Sequence, residues 1–170
     1  MFDAGDYMIY GSHGVCHVDE IGLSDVQGFD EARAYYTLSP MNSDMKIYTP
    51  VDTQVFIRPL VSGEEARTLI ESMSSIEDGD YGQYCGNTKV LSAHYDRLIQ
   101  RGSAERLLKL IKIIHRKHDE IASGGKKLNQ TDRTYLRRAE EMVCDEFAIA
   151  LDMSVDGVKR YMDDTVEASR

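Results

Sequence analysis

The hydrophobic period of this chain changes once, at Pro59, and that change restricts the fold more than any other feature. Ahead of Pro59 the apolar residues fall in short aromatic or β-branched runs: Tyr7-Met8-Ile9-Tyr10, Gly14–Val18, Ala34–Leu38, Met45–Tyr48 and Gln54–Arg58. Turn formers bound them, at Gly5-Asp6, Gly11-Ser12, Gly28 and Pro40–Asp44. Strands repeating at roughly ten residues, with no helical period between them, predict a small antiparallel barrel.

Behind Pro59 the period becomes helical. Ser62-Gly63-Glu64-Glu65 has the form of a capping box, and Ala66, Leu69, Ile70, Met73 and Ile76 then make one apolar face. A turn-rich link at 77–86 precedes a helix expected from Thr88 to Arg101, closed by Gly102. Ser103 is placed to cap the next helix, with Leu107, Leu110, Ile111, Ile114 and Ile121 inward. Ser123-Gly124-Gly125 breaks it, Thr131 or Asp132 opens a further amphipathic helix, and Ser154 caps a last one. Strands followed by helices imply an α+β chain: a β-barrel domain over 1–58 and an all-α helical domain over 59–170.

Charge is distributed as unevenly as structure. The formal net charge is −9, yet residues 89–138 hold 13 Lys and Arg against 5 Asp and Glu. A basic surface on an acidic body can hold a polyanion while the rest of the molecule repels it. On a helix over 104–121, Lys109, Lys112 and Arg116 share one narrow sector opposite the apolar stripe. Lys126 and Lys127 follow a Gly-Gly pair, whose amides could also approach a phosphate. Arg97 and Arg101 before this segment extend the surface, as do Arg133, Arg137 and Arg138 after it. Nothing in the spacing reads bases, so the contact expected is with the nucleic-acid backbone. A solvated, merely basic helix pair is the competing reading.

Catalytic signatures are missing: the chain has no GxSxG elbow, phosphate loop, HExxH or dinucleotide fingerprint. His13 and His17 on a strand would share a face from which Cys16 points away, so three metal ligands would not converge. A structural hydrogen bond suits His13 better, and His115 and His118 read as surface residues. The expectation is no catalytic residue, no metal and no cofactor. An enzyme using His13 with Asp6 or Cys16 is the rival, and a protein adaptor that never touches DNA is a second. Cys16, Cys85 and Cys144 are far apart and form no CxxC pair, so buried reduced thiols are expected. The start of the chain lacks the pattern of a signal peptide and no apolar run is long enough to span a bilayer, so a cytoplasmic protein is expected. A monomer is expected, with a domain swap through the 77–86 link left open. Tyr81 and Tyr84, in that link, have two readings: packing residues, or a wedge against an opened base step.

The opening Phe2-x-x-Gly5-Asp6-Tyr7-Met8-Ile9-Tyr10-x-x-His13-Gly14-Val15 resembles the start of the CarD family of bacterial transcription regulators, and of the related module of the transcription-repair coupling factor. Tyr35-Tyr36-Thr37-Leu38 and Met45-Lys46-Ile47-Tyr48-Thr49-Pro50-Val51 continue the resemblance. So do Leu108-x-x-Ile111, Gly125-Lys126-Lys127-Leu128-x-x-x-Asp132 and Ala139-Glu140 with Glu146-Phe147-Ala148 in the helical half. The resemblance implies a Tudor-like or SH3-like barrel binding the β subunit of RNA polymerase. It also implies a helical domain at the upstream edge of melted promoter DNA. The polymerase-facing strand carries over to Met45, Lys46, Ile47 and Tyr48. The family places a Trp near the start of the helical domain; this chain has none, which leaves either a weaker wedge at Tyr81 or Tyr84, or no wedge.

Overall fold

The computed structural model describes residues 1–23, 32–75 and 88–168. The chain divides into two units, Met1–Leu60 and Val61–Arg170.

The first unit is one antiparallel sheet of β1 (Tyr7–Tyr10), β2 (Val15–Leu23), β3 (Ala34–Pro40), β4 (Ile47–Pro50) and β5 (Ile57–Pro59). The strand order is β4-β3-β2-β1-β5. The barrel expected from the strand spacing is therefore not closed: β4 and β5 pair only with β3 and β1, and stand as the two edges among the described residues. At four and three residues they are short, as edge strands tend to be.

Alternation explains which side of the sheet is buried. Met8 and Tyr10 on β1, Cys16 and Val18 on β2, and Tyr36 and Leu38 on β3 form the core, with Ile21, Ile47 and Ile57 packed against it. Along β2 the phase changes after Val18. The register runs Val18↔Leu38 and then Glu20↔Thr37, so Asp19 is the extra residue of a bulge. That one insertion turns Ile21, rather than Glu20, toward the core opposite Tyr36. Thr49 of β4 is buried on the same face, where it accepts a hydrogen bond from the Tyr10 hydroxyl at 3.0 Å.

The second unit contains α1 (Gly63–Glu71), α2 (Thr88–Arg101), α3 (Ala104–Ala122), α4 (Gln130–Leu151) and α5 (Val155–Ala168). The box at the start of α1 forms in both directions: Ser62 Oγ accepts from the Glu65 amide, and the Glu65 carboxylate accepts from the Ser62 amide at 2.8 Å. Gly63 is required there, since a Cβ would lie 2.7 Å from the Ala150 carbonyl oxygen. Ser103 caps α3 as expected, and Ser154 Oγ accepts from the Gly157 amide in the first turn of α5. The start of α4 differs from expectation. Asn129 is its cap, accepting from the Asp132 amide at 2.8 Å, because Asp132 is drawn inward and cannot cap. Tyr95, Leu107, Leu110, Ile114, Val143 and Phe147 fill the centre of the helical core, with Ala66 and Ile70 of α1 and Val158 of α5. Ile76, expected on the apolar face of α1, lies outside the described residues.

Candidate functional site

The first candidate surface is the β4 edge and the sheet face beside it. Of the four residues expected in the strand, only Ile47 and Tyr48 lie in β4; Met45 and Lys46 precede it. Their side chains also divide. Ile47 packs against the core and contributes nothing outward, whereas Met45 is 60% exposed and Tyr48 45% exposed. The Val51 amide donates to the Ala34 carbonyl at 3.0 Å, and pairing alternates from there. The nitrogen of Pro50 therefore faces away from β3, where an edge strand tolerates the missing donor.

Lys46 is not an isolated cation. Its Nζ donates to Asp19 Oδ2 and to Ser39 Oγ, each at 2.5 Å. Ser39 Oγ donates to the same Asp19 oxygen, and His17 Nδ1 lies 2.7 Å from Asp19 Oδ1. The bonds from Lys46, Ser39 and His17 hold the Asp19 carboxyl well below the usual carboxylate range. The His17 ring meets the half-exposed Tyr7 ring edge-on, with centroids 5.1 Å apart. The register Tyr7↔His17 and His17↔Ser39 puts these side chains in one row across β1, β2 and β3, on the face away from the core. Sequence reasoning had missed Asp19, Ser39 and Tyr7. The available signal was the break in β2 alternation, where Val18 is followed by two acidic residues before Ile21.

The second candidate surface is the basic segment of the helical unit. Lys109, Lys112 and Arg116 do share a side of α3, but Glu105 and Glu120 occupy it with them. Lys109 pairs with Glu105 Oε1 at 2.9 Å, and Arg116 Nε lies 3.7 Å from Glu120 Oε1. Lys112 Nζ donates to the Ser74 carbonyl at 3.0 Å. Arg97 and Arg101 are exposed on α2, the former donating from Nε to the Ala93 carbonyl. Lys126 and Lys127 are exposed in the α3–α4 turn. The amides near them do not form the expected phosphate cradle. Those of Gly124 and Lys126 donate to the Ile121 carbonyl and that of Gly125 to the Ala122 carbonyl, so they finish α3 instead. Tyr81 and Tyr84 lie outside the described residues, as does Cys85.

The remaining chemistry is muted. Burial pushes the Cys16 thiol up to about 12 and the Cys144 thiol up to about 11, far from the thiolate a nucleophile needs. His13 sits exposed in a 3-10 turn, its ring 5.9 Å from that of Tyr10. Among the described residues no three His, Cys, Asp or Glu side chains are grouped to hold a metal, and no helix is long and apolar enough to cross a membrane.

The first unit is thus an open antiparallel sheet with an aromatic, hydrogen-bonded outer face beside one edge. Residues 2–61 match the family described as the CarD-like/TRCF RID domain, so the first unit is a CarD-like RNA-polymerase-interacting domain. No curated protein matches the chain.

Proposed function

We propose that this protein is a non-enzymatic transcription regulator. In this reading β4 and the face beside it bind the β subunit of RNA polymerase, and the helical unit meets promoter DNA phosphates at the upstream edge of the open complex. The observation that carries it is the position of β4: it is a sheet edge, it presents Tyr48 outward with Met45 exposed just ahead of it, and it lies inside the matched domain. An edge strand can add to a sheet of its partner, with pockets for alternate side chains giving selectivity. Arg97, Arg101, Lys126 and Lys127, all exposed, are the cations best placed to reach phosphate. A ligand that favours the open complex over the closed one shifts that equilibrium by the difference in its two binding energies.

One observation favours a second reading, in which the helical unit is an adaptor for another protein: the cations of α3 already have partners at Glu105, Ser74 and Glu120.

The polymerase contact is tested by capture of purified RNA polymerase with the wild-type chain and with a Met45→Ser/Tyr48→Ser variant. Wild-type protein is expected to retain the polymerase through its β subunit and the variant to lose most of it. Equal retention by both would remove the β4 edge from the interface.

A further inference from the structure

We infer that Asp19 is a positioning residue for the polymerase-binding edge: through the Asp19–Lys46 and Asp19–Ser39 bonds it fixes the entry to β4 before any partner arrives. The inference rests on the reading of β4 as that edge.

The bulge in β2 leaves Asp19 out of the backbone register with β3 and puts its side chain on the face of His17, away from the core. From there its carboxylate takes donors from three places: His17 on its own strand, Ser39 near the end of β3, and Lys46, the last residue before β4. Lys46 also reaches Ser39, so the tie spans the whole connection from Pro40 to Ile47. That connection carries exposed Met41 and Met45 and, among its backbone contacts, the weak Ser43 amide to Pro40 carbonyl bond at 3.4 Å. β4 itself is only four residues long, anchored by Ile47 and Thr49 on the core side. A charged clamp at its first end thus sets the direction in which Met45 and Tyr48 leave the sheet. Order already present in the free protein need not be created on binding, which lowers the cost of association.

A second consequence follows from the same bonds. Lys46 spends its charge on Asp19, so the partner contacts the aromatic and thioether side chains instead of pairing an acidic group with this lysine. If Lys46 were the contact, removing Asp19 would release it and strengthen binding.

The experiment is a double-mutant cycle on the full chain, with affinity for purified RNA polymerase measured for wild type, Asp19→Asn, Lys46→Gln and both together, at a temperature where all four are folded. Each single variant is expected to bind about two- to fivefold more weakly, the range an exposed ion pair supports. The double variant should bind no more weakly than either, since both act through one tie. In parallel, amide exchange at Ile47 and Thr49 should quicken in every variant relative to amides of β1 and β2. Unchanged affinity and exchange in Asp19→Asn would overturn the proposal, and so would tighter binding by that variant. Should the wild-type chain not bind polymerase at all, the polymerase reading falls with it, and the exchange arm alone decides whether Asp19 orders β4.

Discussion

At the scale of single residues, the helical unit holds the carboxylate of Asp132 with no exposure, a cost its partners must offset. Asp132 accepts from the Tyr95 hydroxyl at 3.1 Å and lies against the ammonium of Lys117, which is itself only 16% exposed. Lys117→Met leaves that charge buried with a neutral donor, and should cost about 3 kcal/mol in urea unfolding. Adding Asp132→Asn removes the stranded charge, so the double variant should recover more than half of the loss. A double variant as unstable as the single one would locate the cost in lost packing. His115 offers a milder case. Its hydrogen bond to Glu140 at 3.1 Å raises the imidazole above its ordinary 6.5, with Asp119 and Asp163 adding to the effect and burial opposing it. A group whose folded value is raised stabilises fully below its unfolded value, and that contribution disappears as pH climbs through the folded one. Unfolding midpoints of the wild type should therefore fall on going from pH 6 to pH 8 more than those of His115→Asn; parallel profiles would remove the Glu140 bond from the account.

At the scale of elements, the cap of α4 separates a pattern from a geometry. Asn129→Ala should destabilise the chain by about 1 kcal/mol, whereas Thr131→Ala should stay within about 0.5, as befits a position inside the first turn. Chemical denaturation of both variants decides it. Thr131 and Asp132 had looked like the opening of this helix because either side chain can cap, and no local feature announces that Asp132 is wanted by Tyr95 and Lys117 from two other helices. Where the constraint is local, the residues carried it openly. The bounds of α2 follow from the spacing of Leu91 and Tyr95 and from Gly102, where a Cβ would meet the Leu98 carbonyl oxygen at 2.0 Å. The Ser62 and Ser103 caps were equally readable. What stayed hidden depends on partners distant in sequence. Lys46 alternates as a strand residue should, yet it is drawn across β3 to Asp19, 27 positions earlier, and β4 begins only at Ile47. The cations of α3 are regularly spaced, but Glu105 and Glu120 flank them one turn away on either side, and counting one sign of charge overlooks the pairing.

For the whole molecule, the question is whether the positive segment acts on nucleic acid, given that the chain as a whole carries −9. Two weak contacts made by one chain reinforce each other through effective concentration, so neither unit needs high affinity alone. If the second contact is with phosphate, binding releases counterions, and the logarithm of the affinity falls linearly with the logarithm of salt by about 0.9 for each phosphate neutralised. The cations expected to carry that slope are those at the α3–α4 turn and on the exposed side of α2, with the paired residues of α3 contributing little. Affinity of the full chain for a polymerase–promoter complex should therefore lose slope in an Arg97→Ala/Arg101→Ala/Lys126→Ala/Lys127→Ala variant, and keep most of it in Lys109→Ala/Lys112→Ala/Arg116→Ala. Polymerase without DNA provides the control: there the two variants should bind like wild type at every salt concentration. Equal slopes for all three proteins on the promoter complex would assign the helical unit to a protein partner, whereas loss confined to the α3 variant would mean that Glu105 and Glu120 release their cations when DNA arrives.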